Sequence, residues 1–106
     1  MQELSIEHIR ALFNNGKSIW TIHVARKLQE RGIFQEDISN AINNGIIIEQ
    51  YPNDYPHPSC LIFGKDLSNN PLHIVVGSDG KTLYLVTAYL PDSEHFENDF
   101  TTRKEK

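Results

Sequence analysis

In the first half of the chain, hydrophobic residues recur every three or four positions, which is the spacing of helices with one buried side. The predicted helices cover residues 5–15, residues 18–30 or 21–30, and residues 35–43. Ser5 can cap the first helix because its side-chain oxygen accepts a backbone N–H, and Asn15-Gly16 can end it. Arg31-Gly32 ends the second helix, and Asn44-Gly45 predicts a left-handed cap after the third.

The second half of the chain is rich in β-branched residues, as strands are. The predicted strands cover residues 46–51, 60–65, 72–77 and 82–89, and prolines interrupt residues 52–58. Ser78-Asp79-Gly80-Lys81 predicts a hairpin, because Asp-Gly accepts positive φ. The tail can add a helical turn that packs Phe96 and Phe100 on the body. Helices followed by a strand meander indicate an α+β fold, with N-terminal helices packed on one face of a three- to four-stranded antiparallel sheet.

The length of 106 residues is that of a single domain, because two separate cores would each be marginal at this size. The sequence contains no apolar run near the ~20 residues of a membrane-spanning helix, and its first residues lack the basic and apolar regions of a signal peptide. The single cysteine, Cys60, forms no internal disulfide. These features predict a cytoplasmic protein without a membrane segment.

The formal net charge of −4 argues against avid nonspecific binding to nucleic acid, which depends on Lys and Arg. The charges are unevenly distributed, however. Residues 17–31 contain four basic residues and one acid, namely Lys17, Arg26, Lys27, Arg31 and Glu30. Acids concentrate instead in the tail, at residues 92–99. A local positive site on an acidic protein is therefore compatible with the sequence.

The second predicted helix has a polar side and an apolar side, because residues three and four apart share a face. The polar side comprises His23, Arg26, Lys27 and Glu30, and the apolar side comprises Ile22, Val24, Ala25 and Leu28. A polar side of this kind is typical of a solvated helix surface. A second interpretation is that His23 and Arg26 form a pair directed at an anionic ligand across the sheet edge.

Two polar residues stand within or at the end of apolar strands. His73 alternates with Leu72 and Ile74, so we expect it to lie with Val75 on the more open face of the sheet. A strand histidine commonly has a structural role, but an imidazole also ionises near neutral pH, as a general acid or base must. Tyr89 ends the last strand, where we expect its hydroxyl to meet water. A tyrosine at this position is equally typical of the rim of a core.

Other polar residues are weaker candidates. The hydroxyl of Ser59 can bind a phosphate or simply start a strand, and the rings of Tyr51, Tyr55 and His57 can stack on bases. His57 and Cys60 are too isolated for a zinc site, which needs three or four ligands at short spacings. The sequence has no glycine-rich phosphate loop, nucleophile elbow or paired-cysteine motif. It therefore predicts neither a metal site nor a cofactor.

A succession of short motifs gives the chain a family resemblance. The motifs are His23-x-x-Arg26, Arg31-Gly32-Ile33, Asp37, Asn44-Gly45, Glu49, Tyr51-Pro52, Ser59-Cys60-Leu61, Pro71-Leu72-His73-Ile74-Val75-Val76 and Tyr89-Leu90-Pro91-Asp92. Together they resemble the DUF4258 family of small bacterial proteins, which look related to the RelE/MqsR-like toxins of toxin–antitoxin systems. The resemblance spans about 21–92, between an N-terminal helix at 5–15 and a C-terminal extension at 93–106. One departure is Phe34, which stands where the family tends to have a capping Ser or Thr.

The resemblance implies a RelE-like fold and a toxin-like, metal-independent endoribonuclease, or mRNA interferase, in which a ribose 2′-hydroxyl attacks the adjacent phosphate. In this interpretation His73 or His23 moves the proton, while Arg26 stabilises the phosphate charge. Tyr89 orients the phosphate. The implied RNA-binding residues are Lys27, Arg31, Tyr51, Ser59 and Lys65. The implied partners are mRNA and an antitoxin with a zinc-finger segment and a helix-turn-helix.

The alternative is a non-catalytic protein-interaction module of the same fold. Its sheet edge, or the loop at 51–59, would bind the partner, and the acidic balance favours a basic protein over RNA. Clustering distinguishes the two hypotheses. A locally positive patch that unites the four catalytic candidates favours chemistry, whereas their separation onto two faces favours structural roles.

Overall fold

The computed structural model describes residues 3–91, and the helical turn predicted in the tail lies outside them. In chain order the elements are α1 (Ile6–Asn14), β1 (Ser18–Ile19), α2 (Ile22–Glu30), α3 (Gln35–Asn44), β2 (Ile46–Tyr51), β3 (Ser59–Lys65), β4 (Pro71–Ser78) and β5 (Leu83–Tyr89). The helices precede the main strands, and the α+β prediction is confirmed. None of the helices in this part of the chain is long and apolar enough to cross a bilayer.

The strands form one five-stranded sheet in the order β1-β5-β4-β3-β2. β2 to β5 form an antiparallel meander, whereas β1 pairs with β5 in parallel. The prediction of a three- to four-stranded antiparallel sheet is therefore wrong in strand number and in direction at this edge. The cause is that Ser18 and Ile19 are extended beside β5. The side chain of Thr21 caps α2 by accepting from Val24 N at 3.1 Å, so the helix begins only after it.

One predicted helix cap and the predicted hairpin turn are confirmed, and another predicted helix cap is wrong. Ser5 caps α1 through its side-chain oxygen, and Gly80 in the β4–β5 hairpin has a φ of 94°. Gly45 after α3 is extended, with a φ of −95°, rather than left-handed. Glycine is needed there for space, because a Cβ would collide with the carbonyl oxygens of Ala41 and Phe63.

The core lies between the helices and one face of the sheet. α3 packs directly on β3, where Gly64 leaves room for the backbone of Ala41. Side chains with 0% exposure in this core include Ile38, Ile42, Cys60, Ile62, Leu72, Ile74 and Val76. Arg10 of α1 closes one end of the core, where its guanidinium donates to Ile42 O at 2.9 Å and to Gly45 O at 2.8 Å. Cationic donors at the C-terminal end of a helix satisfy its last carbonyls.

Candidate functional site

A groove of about 230 Å³ runs between α2 and β5. We call it the α2–β5 groove, and its lining residues are His23, Val24, Lys27, Leu28, Arg31, Val86 and Thr87. His23, Lys27 and Arg31 are exposed and follow one another at intervals of four residues, so they lie along one side of the helix. The groove therefore combines one imidazole with two cationic side chains.

Helix periodicity explains one wall of the groove, and strand pairing explains the other. On the helix, Val24 and Leu28 are buried and hold α2 against the sheet, which leaves the adjacent positions around the helix at the opening. On the strand, the β4–β5 register shifts between Val75 and Val76, so that Val86 is an extra residue of β5. A bulge of this kind redirects a side chain, and Val86 is 50% exposed and lines the groove.

Arg31 follows α2 and holds its guanidinium against β5. Its Nη1 donates to Ala88 O at 2.8 Å and to Thr87 Oγ1 at 3.2 Å, and such charge-assisted bonds fix a long side chain in place. Lys27 is less constrained. Its Nζ lies 3.8 Å from Glu30 Oε1, and because both side chains are about half exposed, the pair contributes little to stability. The groove thus has one anchored cation and one solvated cation.

Arg26 is separated from the groove. Arg26 is two residues away from both Val24 and Leu28, which are the buried residues of α2. Because a helix turns by about 100° per residue, Arg26 lies on the side of the helix opposite to these two residues. It is exposed and is not among the residues that line the groove. Arg26 is therefore outside the lining of the groove, whereas His23, three residues earlier on the same helix, is part of it. The apolar side of α2 is also narrower than predicted, because Ile22 is 79% exposed and Ala25 is exposed as well.

His73 and Tyr89 meet on the outer face of the sheet, which is the face away from the helices. They are register partners in β4 and β5, and their ring centroids lie 5.5 Å apart with 66° between the planes. Phe63 of β3 flanks the other side of His73 at 6.0 Å. The predicted direction of His73 is confirmed, but its predicted open position is wrong. It is 0% exposed, with aromatic rings from both neighbouring strands packed against it.

The outer-face residues begin close to the end of the groove. Thr87, which contacts Arg31, and Tyr89, which contacts His73, point to the same face of β5, roughly 6.6 Å apart along the strand. β1 does not separate them from α2, because it pairs only with the first two residues of β5. Sequence reasoning missed Thr87, since no local pattern marks a threonine that meets an arginine from another element.

The remaining RNA-binding candidates lie elsewhere. Ser59 is 2% exposed and donates to Asp54 Oδ2 at 2.6 Å, which ties the preceding loop to the start of β3. Tyr51 is its register partner in β2, and the Tyr51 hydroxyl donates to Glu49. Lys65 is exposed at the opposite end of β3. These three predicted residues do not line the α2–β5 groove. The Ser59 hydroxyl has a structural role, because it binds Asp54 of the preceding loop.

A further group joins the proline-rich loop to the β4–β5 hairpin. The ring of His57 stacks on that of Tyr84, with centroids 4.8 Å apart and 6° between the planes. The Tyr84 hydroxyl donates to Asp79 Oδ2 at 3.3 Å. The backbone N–H groups of Lys81 and Thr82 donate to Asp79 Oδ1 and lower the pKa of this carboxyl. These contacts hold the loop on the outer face, which is a structural role.

A larger cleft, of about 670 Å³, lies between the start of α1 and the β4–β5 hairpin. His8 of α1 lies against the hairpin, with its Nε2 2.8 Å from Gly80 O. Glu3 and Asp79 place carboxylates in the lining of this cleft. Such a lining repels phosphate, so the smaller α2–β5 groove is better suited to an anionic ligand.

Cysteine and metal chemistry have little support in the described part of the chain. Burial raises the pKa of the Cys60 thiol to about 12, so the thiolate that a nucleophilic cysteine needs does not form near neutral pH. Among residues 3–91, no three His, Cys, Asp or Glu side chains gather closely enough to hold a metal ion.

A family profile described as "Domain of unknown function (DUF4258)" matches residues 20–90. The match begins just before α2 and ends just after β5, so it includes both the groove and the outer face of the sheet. No curated protein and no solved structure matches the chain. Because the profile covers well over half of the chain, and coincides with the region of the sequence motifs, the protein belongs to the DUF4258 family.

Proposed function

We propose that this protein is a toxin-like endoribonuclease that binds RNA in the α2–β5 groove and cleaves it without a metal ion. The observation that carries the proposal is the alignment of His23, Lys27 and Arg31 along one exposed groove. An imidazole can transfer protons near neutral pH, and cations can stabilise charge on a phosphate. These are the groups that attack by a ribose 2′-hydroxyl requires.

The proposed reaction starts with transfer of the 2′-hydroxyl proton to His23. The 2′-oxygen forms a bond to the adjacent phosphorus while the bond from phosphorus to the 5′-oxygen breaks. The products are a 2′,3′-cyclic phosphate and a 5′-hydroxyl, which takes its proton from the imidazolium or from water. Lys27 and Arg31 stabilise the negative charge that develops on the phosphate oxygens.

The four residues expected to be catalytic do not form one patch, since His23 and Arg26 lie on α2 and His73 and Tyr89 on the outer face of the sheet. By the clustering criterion this favours structural roles for the two outer-face residues, and the groove changes the roles that the family resemblance implies. His23 replaces His73 as the preferred proton acceptor, because a bound strand can reach an exposed imidazole and cannot reach one with 0% exposure. Arg31 likewise takes the charge-stabilising role expected of Arg26, which is not among the residues that line the groove. Tyr89 lies two residues beyond the end of the groove, and its orienting role stays part of the proposal.

The test is cleavage of a single-stranded RNA of mixed sequence by the purified protein in buffer that contains EDTA. We expect a 2′,3′-cyclic phosphate product, and a rate lower by about 10²–10⁴ in His23→Gln, as is typical when a general base is removed. Arg26→Gln distinguishes the groove from the His23–Arg26 pair predicted from the sequence. Because Arg26 does not line the groove, we expect this variant to cleave RNA at a rate close to that of the wild-type protein. Absence of cleavage by the wild-type protein, or full activity of folded His23→Gln, would refute the proposal.

A cellular experiment tests the toxin role. Induced expression in a bacterial host should arrest growth and degrade mRNA, and His23→Gln should relieve both effects. Co-expression of the expected antitoxin, a zinc-finger and helix-turn-helix protein encoded by a neighbouring gene, should restore growth. Normal growth with intact mRNA, at confirmed levels of soluble protein, would exclude this role.

One observation favours a second function, that of a non-catalytic protein-interaction module. Large apolar side chains are exposed on β1, α2 and β5, namely Ile19 at 51%, Ile22 at 79% and Val86 at 50%. Exposed apolar surface is one of the features of protein interfaces. If this function is correct, the wild-type protein does not cleave RNA and Ile22→Asp abolishes binding of the partner. The matched control is Leu67→Asp, which changes a side chain 66% exposed on the β3–β4 turn and should retain binding.

A further inference from the structure

We infer, on the basis of the proposed function, that the α2–β5 groove binds a single-stranded RNA segment whose backbone runs along the axis of α2. Consecutive phosphates then lie beside His23, Lys27 and Arg31. The proposed cleavage needs only one phosphate in the groove, whereas this arrangement defines the path of three. It also defines the form of the substrate, which is an unpaired strand rather than a duplex.

The spacing of the three groove residues matches that path. They are four residues apart on α2, and a rise of 1.5 Å per residue separates their Cα atoms by ~6 Å along the helix axis. This distance is close to the separation of adjacent phosphates in an RNA strand. Arg31 is anchored at one end of the line by its bonds to Ala88 O and Thr87 Oγ1. A strand that follows α2 therefore meets one cationic or protonatable group for each phosphate.

Glu30 is an acid that lies beside this line. Glu30 Oε1 lies 3.8 Å from Lys27 Nζ, and the carboxylate therefore competes with a phosphate for the same cation. Because the pair is exposed, its strength is small and a phosphate can displace the carboxylate. Removal of the Glu30 charge should consequently tighten binding of the strand.

The groove favours an unpaired strand for two reasons. First, the wall opposite the three groove residues carries the apolar side chain of Val86, which is 50% exposed. Unpaired bases can place their apolar faces on such side chains, whereas the bases of a duplex are stacked inside it. Second, the positive groups form a single line on a chain of net charge −4, so a second strand would meet a repulsive field.

The test is binding of a short, fluorescently labelled 2′-O-methyl oligonucleotide, measured by anisotropy from about 50 to 200 mM salt. For single strands, the magnitude of the slope of log K against log salt concentration decreases by about 0.7 for each phosphate that the protein no longer neutralises. We expect this decrease for Lys27→Gln and for Arg31→Gln, and a several-fold gain in affinity for Glu30→Gln. Lys81→Gln removes the same charge from the exposed hairpin turn and should leave the slope unchanged. If Arg31→Gln unfolds, Lys27→Gln decides the result.

The 2′-O-methyl group removes the nucleophile, so binding is measured independently of cleavage. Smaller slopes for the groove variants alone support the RNA path even if unmodified RNA is not cleaved, in which case only the proposed function fails. Equal slopes for Lys27→Gln and Lys81→Gln overturn the path even if RNA is cleaved. Two other results would also overturn the path. One is equal affinity for a duplex of the same sequence, and the other is failure of the wild-type protein to bind the oligonucleotide.

Discussion

Replacement of Asp37 tests how the chain holds the start of α3 and the turn after β3. Asp37 is 8% exposed, and its carboxylate accepts from Phe34 N through Oδ2 and from Leu67 N through Oδ1, both at 2.9 Å. Phe34 occupies the N-cap position and has no side-chain acceptor, so Asp37 supplies the one half of a capping box that can form here. One carboxylate thus joins two segments that are distant in sequence.

The expected cost follows from these two bonds. Hydrogen bonds to charged groups contribute about 1.5–3 kcal/mol each. Asp37→Asn keeps one acceptor and turns an amide N–H toward a backbone N–H, so we expect a decrease of about 1.5–3 kcal/mol in the free energy of unfolding. Asp37→Ala removes both acceptors and leaves two backbone donors unsatisfied in a mostly buried place, so we expect about 3–6 kcal/mol.

The assay is urea denaturation followed by far-ultraviolet circular dichroism. Glu36→Gln is the matched control, because it removes an exposed acid from the same first turn of α3 and should cost only about 0.3–1 kcal/mol through the helix dipole. If Asp37→Asn costs no more than Glu36→Gln, the two backbone bonds do not stabilise the fold and the expected cost is wrong.

Three further changes test other contacts. Gly64→Ala should lower the free energy of unfolding by about 3 kcal/mol in the same urea titration, because the new Cβ would lie 2.6 Å from Ala41 O. The pKa of Asp79 is lowered by the backbone N–H groups of Lys81 and Thr82, so its contribution to stability is complete above the ordinary carboxyl pKa of 3.8 and disappears as the pH falls through the lower folded-state value. Thermal unfolding at neutral and acid pH should therefore show a smaller acid effect in Asp79→Asn. Cys60, with a pKa of about 12, should resist iodoacetamide in the native protein and react in denaturant, and mass spectrometry would reveal any native alkylation that contradicts its burial.

Signals that are confined to a few neighbouring residues predicted their structures correctly. The cap at Ser5 and the hairpin at Asp79-Gly80 depend on hydrogen bonds and dihedral preferences within one turn of chain, so the local sequence contains the information. β1 is different. Ser18 and Ile19 are extended because β5, much later in the chain, offers them an edge for pairing. A two-residue strand has too little periodicity to be visible beforehand.

In the candidate site, too, some features follow from local sequence and others depend on tertiary contacts. Alternation in β4 predicted that His73 points away from the helices, but alternation carries no information on its burial or on the rings of Phe63 and Tyr89 that pack against it from the neighbouring strands. The polar side of α2 was visible in the sequence. Which of its residues line the groove was not visible, because the groove depends on the register shift that makes Val86 an extra residue of β5. Helical spacing places Arg26 beside His23, but of the two only His23 is among the residues that line the groove.

Replacement of His73 and replacement of His23 should have opposite effects on stability and on cleavage, and these two quantities can be measured for both variants. His73 is fully buried between aromatic rings, so His73→Ala removes packed volume and should lower the free energy of unfolding by about 2–5 kcal/mol, as for other fully buried side chains of similar size. His23 is exposed, so His23→Gln should change stability by no more than about 0.5 kcal/mol and still lower the cleavage rate by about 10²–10⁴. Urea denaturation and RNA cleavage are measured on both variants, with cleavage at a temperature where His73→Ala remains folded. If folded His73→Ala loses cleavage while His23→Gln keeps it, proton transfer takes place on the outer face of the sheet and the α2–β5 groove is not the catalytic site.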